Sequence, residues 1–133
     1  MSNDLFSEWL SNLDLNFFGT GQHKIEAAQL LKRIKEGEDI VVLDVRSEEE
    51  RKYLSYPFML HMPIQELPRH CQELPNDKLI AVFCSSGTRS AIAYAFLQLQ
   101  NFEKVRILHA GNAEMGALLK PGMIRSLEER TAA

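Results

Sequence analysis

Unbroken apolar runs, rather than alternating ones, stand at two places in this chain, and apolar residues at helical spacing fill the segments around them. The runs lie within Asp39 to Arg46 (DIVVLDVR) and Lys78 to Phe83 (KLIAVF), and Val105 to Leu108 (VRIL) makes one more strand. Alternation marks a sheet with one wet face, so continuous aliphatic runs rich in β-branched residues predict strands buried on both faces of a parallel sheet. Phe58 to Met62 is a weaker candidate for another short strand.

Helical spacing predicts an amphipathic helix over 4–14, carried by Leu5, Phe6, Trp9, Leu10 and Leu13 behind an Asn3 or Asp4 cap. Residues 16–21, with Gly19 and Gly21, read as a linker. Ile25, Ala28, Leu30, Leu31 and Ile34 mark a second helix that Gly37 ends. Ser47 with Glu50 three positions on forms the capping-box pattern of a helix start. A short helix is predicted over 64–74 between Pro63 and Pro75, with Pro68 tolerable only near its first turn. A nearly all-apolar helix follows over 90–99, and another over 113–119 stops at Pro121-Gly122. Strand and helix thus alternate, the pattern of an α/β fold with a parallel sheet and right-handed crossovers.

The composition adds bounds. With 133 residues, 45% apolar and 25% charged, one domain can bury a sufficient core without disulfide or metal. A net charge of −3 gives no basic field for nucleic acid. No apolar run reaches the length of a membrane span, and Met1 to Leu5 lacks the start of a secretory signal, so the expected setting is cytoplasmic. In that reducing setting Cys71 and Cys84 are expected as free thiols. His23, His61, His70 and His109 are too scattered for metal-ligand spacing, so no metal is expected.

The candidate chemistry sits at the end of the second buried run, in Cys84-Ser85-Ser86-Gly87-Thr88-Arg89-Ser90. Ligands of open parallel sheets bind beyond the carboxyl ends of the strands, where loops enter helix N-termini. A thiol there feels the positive end of the helix and its unpaired N–H groups, which favour the thiolate. The small residues Ser85, Ser86, Gly87 and Thr88 let the loop curl into an anion-binding nest, with Gly87 free to take a positive φ. Arg89 is expected to fix the loop and add a positive charge near Cys84, and can touch an anionic donor. A cysteine that merely fills a core needs neither the polar loop nor the arginine.

This loop resembles the CxxGxR-Ser loop of the rhodanese family of sulfurtransferases, and Asp44-Val45-Arg46 matches the Asp-Val-Arg that the family carries at the end of an earlier strand. The resemblance runs from about Lys24 to Gly122. It implies a rhodanese-like α/β fold with a mostly parallel central sheet and helices on both faces. The expected organisation is an N-terminal helix and linker over 1–21, the rhodanese-like domain over 22–122 and a C-terminal tail over 123–133, helical or frayed from Ser126 onward. The implied reaction passes a sulfane sulfur from a small donor, thiosulfate or a persulfide, through a Cys84 persulfide to a thiol or cyanide acceptor, or to a sulfur-relay protein, with no metal or organic cofactor and with the N–H groups of Ser86 to Ser90 holding the persulfide. Asp44 and Arg46 are supporting residues, expected as a structural ion pair.

The chain departs from the family pattern at three places. Leu54-Ser55-Tyr56-Pro57-Phe58-Met59 replaces a Gly-His-Ile-Pro-Gly-Ala stretch, Ala110-Gly111 with Met115 replaces a Gly-Gly and tryptophan, and Ser85 stands where members that use thiosulfate often have arginine. Ser85 loosens the tie to an anionic donor. Two other functions compete. Cysteine phosphatases and arsenate reductases also pair a loop cysteine with arginine, but with five residues between, whereas Cys84 and Arg89 have four. A regulatory binding module would keep the fold without turnover. Cys71 reads as a packing residue that can also act as a resolving thiol, and the apolar N-terminal face of Phe6, Trp9 and Leu13 either docks a partner or folds back on its own domain.

Overall fold

Five strands form one sheet in the order β1-β5-β4-β2-β3, and every neighbouring pair is parallel. In chain order they are β1 (Lys24–Glu26), β2 (Val41–Asp44), β3 (Leu60–His61), β4 (Ile80–Phe83) and β5 (Val105–His109). The structure, a computed structural model, describes residues 3–131. The two apolar runs supply β2 and β4, as their burial requires, and Val105 to Leu108 lies in β5, the third inner strand. All four residues of β4 are buried.

The helices are α1 (Asn3–Ser11), α2 (Leu15–Gly19), α3 (Ala27–Lys35), α4 (Glu48–Tyr53), α5 (Leu67–His70), α6 (Thr88–Leu99), α7 (Asn112–Leu118) and α8 (Pro121–Thr131). They cover both faces of the sheet. Strand residues divide with period two: Val42, Ala81 and Phe83 join one core cluster, while Leu43, Ile80 and Val82 join the other. The first cluster is closed by Leu30, Leu31 and Ile34 of α3, Met115 of α7 and Leu127 of α8. The second is closed by Ala93, Tyr94 and Leu97 of α6 with Leu67, Cys71 and Leu74. Each fully buried Leu or Ile contributes about 1.5–3 kcal/mol relative to exposure.

Several boundaries differ from the sequence expectation. Ile25, expected on a helix, lies in β1 opposite Leu108, and α3 begins only at Ala27. A three-residue strand is too short to carry a period of its own, so its pairing with β5 decides its state. The expected linker over 16–21 holds most of α2, started by Asp14, whose Oδ1 accepts from Phe17 N at 2.8 Å. The helix expected over 64–74 is instead the short α5 between two 3-10 turns, Ile64–Glu66 and Cys71–Glu73. Pro68 has no N–H to give and sits in the first turn of α5, where it is tolerated.

The tail, expected to be helical or frayed from Ser126 onward, is helical, and its helix starts earlier, at Pro121. Pro121 opens α8 rather than ending the fold, as its missing N–H and fixed φ suit a first helical turn. Leu127 is wholly buried against the first cluster. At the other end of the chain, Trp9 of α1 packs on Tyr94 of α6 with ring centroids 6.3 Å apart, so the N-terminal helix folds back on its own domain.

Candidate active site

β2 and β4 are neighbours, but the chain leaves them in opposite directions: β2 leads outward to β3, and β4 leads across to β5. The loops that follow them therefore part at their carboxyl ends and leave a crevice, the switch point of the sheet. Cys84 immediately follows β4 there. Glu50 lies in the first turn of α4, just after β2.

After Cys84 the chain turns through Ser85, Ser86 and Gly87 into α6. Gly87 is the N-cap of α6, with φ +92° and ψ −19°. A Cβ at Gly87 would meet nothing within 4 Å. The position thus favours glycine because of its left-handed backbone, not for lack of room. That turn sends backbone donors back to the sulfur. Gly87 N donates to Cys84 Sγ at 3.0 Å, and Ser90 N does so at 3.3 Å. The Ser90 hydroxyl lies 3.5 Å from Sγ and donates to the Gly87 carbonyl at 3.0 Å.

Burial pushes the Cys84 thiol up, but hydrogen bonds from the Ser90 hydroxyl and from the backbone of Ser90, Ser86 and Gly87 outweigh it, leaving the pKa below the ordinary 9.0. The N-terminal end of the twelve-residue α6 adds its partial positive charge. Cys84 is only 1% exposed, so the loop residues around it govern how a reagent reaches the sulfur.

Arg89 does not stand free beside the thiol. Its Nη1 and Nη2 grip the two carboxylate oxygens of Glu50, the second at 2.9 Å. Nη2 also donates to Ser85 Oγ at 3.2 Å, and that hydroxyl lies 3.4 Å from Glu50 Oε2. The same carboxylate closes the capping box on Ser47, accepting from its backbone N at 3.1 Å and its hydroxyl at 2.9 Å. Arg89 holds the Glu50 carboxyl far below the usual carboxylate range, against a smaller opposing push from burial and with help from Ser47. The sequence marks Glu50 only as the capping-box partner of Ser47. Its capping-box position was the available signal, since it puts the carboxylate at the strand-end side of α4. Only the adjacency of β2 and β4 brings that side to Arg89.

Asp44 and Arg46 form a buried pair under the same crevice, 2% and 1% exposed. Arg46 Nε and Nη2 donate to the two Asp44 oxygens at 3.0 and 2.9 Å, and Nη2 also donates to the Leu54 carbonyl at 2.8 Å. The guanidinium lies 5.3 Å from the Tyr56 ring centroid and 5.4 Å from that of Phe83, the residue before Cys84. The pair thus braces the end of β4 from below.

On another side, Gly111 presses its backbone on the loop: a Cβ there would come within 2.9 Å of the Ser85 carbonyl oxygen. Tyr56 Oη donates to Asn112 Oδ1 at 2.7 Å and ties the segment after α4 to the start of α7. These contacts join segments that the sequence leaves far apart. Thr88 begins α6. Cys71 is buried in the second core cluster, where Gln72 Nε2 lies 3.7 Å from its sulfur, and both cysteines are free. Among the described residues no cluster of three or more His, Cys, Asp or Glu can hold a metal ion, and no helix is long and apolar enough to cross a membrane.

Comparison with known proteins gives matching findings. The model of the rhodanese-like domain family matches residues 26–117. A sulfurtransferase of Allochromatium vinosum is 30% identical over 89 residues, which span 67% of this chain and 83% of that protein. A rhodanese-related protein from Thermoplasma volcanium superposes with a TM-score of 0.61 at 31% identity, over 74% of this chain and 95% of that one. An NAD-dependent persulfide reductase from A. fulgidus superposes with a TM-score of 0.57 at 40% identity, over 77% of this chain but 17% of that one.

Proposed function

This chain belongs to the rhodanese-like domain family, and on that footing we propose that it is a sulfurtransferase working through a persulfide on Cys84. The observation that carries the proposal is the convergence of backbone N–H groups on Sγ, with Gly87 N at 3.0 Å and Ser90 N at 3.3 Å. Donors so placed stabilise negative charge on sulfur without a general base. The likeness to a protein named as a sulfurtransferase supports the same reading.

With a thiol persulfide as donor, the Cys84 thiolate attacks the terminal sulfur of RS–SH. A new S–S bond forms on Cys84, the bond to RS breaks, and the proton of the donor leaves with it as RSH. Cys84–S–S⁻ remains, its charge facing the loop N–H groups. An acceptor thiol R′SH then takes the outer sulfur as R′S–SH, and the Cys84 thiolate is restored. Cyanide can replace the thiol, leaving as thiocyanate, and a relay protein can present the accepting thiol. Cys84 is the nucleophile, Ser85 to Ser90 form its loop, and Asp44 with Arg46 supports the strand below. The engagement of Arg89 by Glu50 weighs against a phosphatase, which needs its arginine for the phosphate.

Intact mass after incubation with glutathione persulfide, a polysulfide or thiosulfate tests this directly. The expected product carries one added sulfur atom, mapped to Cys84, removed by thiol or cyanide and absent from Cys84→Ser. Failure to load sulfur from every donor would reduce the chain to a binding module, and hydrolysis of an aryl phosphate that depends on Cys84 would replace the reading.

A further inference from the structure

We propose that Glu50 is a positioning and specificity-determining residue: by holding Arg89 in a closed, neutral pair it removes the cationic charge from the mouth of Cys84, and the site selects weakly charged persulfide donors over dianionic ones. The donor half of this statement rests on the sulfur-transfer reading above, while the electrostatic half does not.

Three relationships carry it. Both terminal nitrogens of the Arg89 guanidinium are directed at the Glu50 carboxylate, so the hydrogen-bonding edge that would clamp an incoming oxyanion is occupied. Ser85 closes the set, accepting from Arg89 and lying within reach of Glu50, which leaves the second loop position neutral and turned to the pair. Arg46, the other guanidinium beneath this strand end, is neutralised by Asp44 and buried.

Glu50 also fixes geometry. Its carboxylate is held by the Ser47 cap of α4 and cannot follow Arg89 outward without opening the capping box. A donor that needs Arg89 must therefore break a bidentate charge-assisted pair, whereas a weakly charged persulfide needs only the N–H groups around Sγ. Arg89 still lies within electrostatic range of the thiol, since Cys84 contributes to raising its pKa after Glu50. The charge is thus close enough to act when released.

The test uses two alkylating reagents of similar size and different charge. Rates of modification at Cys84, read by peptide mass mapping, are measured at neutral pH with iodoacetate and iodoacetamide, and their ratio is referred to that of a free thiol. In Glu50→Gln the iodoacetate-to-iodoacetamide ratio rises about fivefold as one screened charge is uncovered. The rise disappears in Glu50→Gln with Arg89→Gln. General loosening of the loop would change both rates together and leave the ratio alone. An unchanged or lowered ratio in Glu50→Gln overturns the proposal.

The wild-type protein gives a second decision without any variant: added salt leaves iodoacetate modification unchanged or faster. Slowing by salt would reveal an anion-attracting mouth and overturn the proposal. Initial rates of sulfur loading then shift in Glu50→Gln toward thiosulfate relative to the persulfide of 2-mercaptoethanol, which carries at most one negative charge. If the wild-type chain loads sulfur from neither donor, the sulfur-transfer reading fails, and the alkylation ratio still decides whether Glu50 neutralises Arg89.

Discussion

Ser90 meets Cys84 twice: its backbone N donates to Sγ at 3.3 Å, and its hydroxyl lies 3.5 Å from the same sulfur while donating to the Gly87 carbonyl. When the thiol is protonated it donates to the Ser90 oxygen. When it ionises, the hydroxyl is free to turn from Gly87 toward the thiolate. Ser90 is fully buried in the first turn of α6, so water does not compete for either arrangement.

The pH dependence of Cys84 follows from this contact. The reactive form is the thiolate, and the loop donors hold the thiol pKa below 9.0. Iodoacetamide modification of Cys84 is therefore expected to rise with pH along a titration curve whose midpoint lies below 9.0. Ser90→Ala removes the hydroxyl and keeps the backbone donor, so the midpoint moves upward by about 1 pH unit, within the usual strength of one hydrogen bond to a charged group. A midpoint that stays in place would show that the backbone N–H groups alone set the thiol.

Gly111→Ala places a methyl 2.9 Å from the Ser85 carbonyl oxygen, a contact with backbone on both sides that only movement of the loop relieves. The expected cost is about 1–3 kcal/mol of stability, with slower alkylation of Cys84. Gly116→Ala is the control. It lies within α7 with nothing within 4 Å of the added carbon, and it is expected to stabilise by about 0.5–1 kcal/mol. Urea unfolding and alkylation rates on both variants check the contrast.

Breaking the buried pair has a different signature. Arg46→Met leaves the Asp44 carboxylate unpaired and is expected to cost about 3–5 kcal/mol, most of it the burden of an uncompensated buried charge. Adding Asp44→Leu is expected to recover much of that loss in denaturant unfolding. An Arg46→Met protein as stable as the wild type would contradict the bracing role assigned to the pair.

The end of the chain offers a packing test. Leu127→Ala removes a wholly buried side chain from the cluster that α8 shares with α3, and about 2–5 kcal/mol of stability is expected to go with it. Thermal unfolding of this variant checks the claim. A change within experimental scatter would mean that α8 adds little to the core.

Much of the site was legible because the relevant signals are local. Cys84, Gly87 and Ser90 lie within one strand-to-helix turn, and the geometry of that turn follows from the apolar run before it, the glycine at its tip and the helix after it. The capping box at Ser47 and Glu50 was legible for the same reason. Arg89 was expected to present its charge to Cys84, and the structure instead shows it bound to Glu50 across 39 positions. That pairing depends on β2 and β4 lying side by side, which no local pattern encodes.

The sequence by itself determined the inner strands and the strand-to-helix loop that carries Cys84, because continuous burial and tight turns impose residue types directly on neighbouring positions. It did not determine β1, whose three residues become a strand only through β5, or α8, whose Leu127 finds its burial against the distant α3. Tertiary structure also decided the charge at the mouth of Cys84. An arginine in a sequence is always a cation, but whether that charge is offered to a substrate depends on the carboxylate the fold places against it.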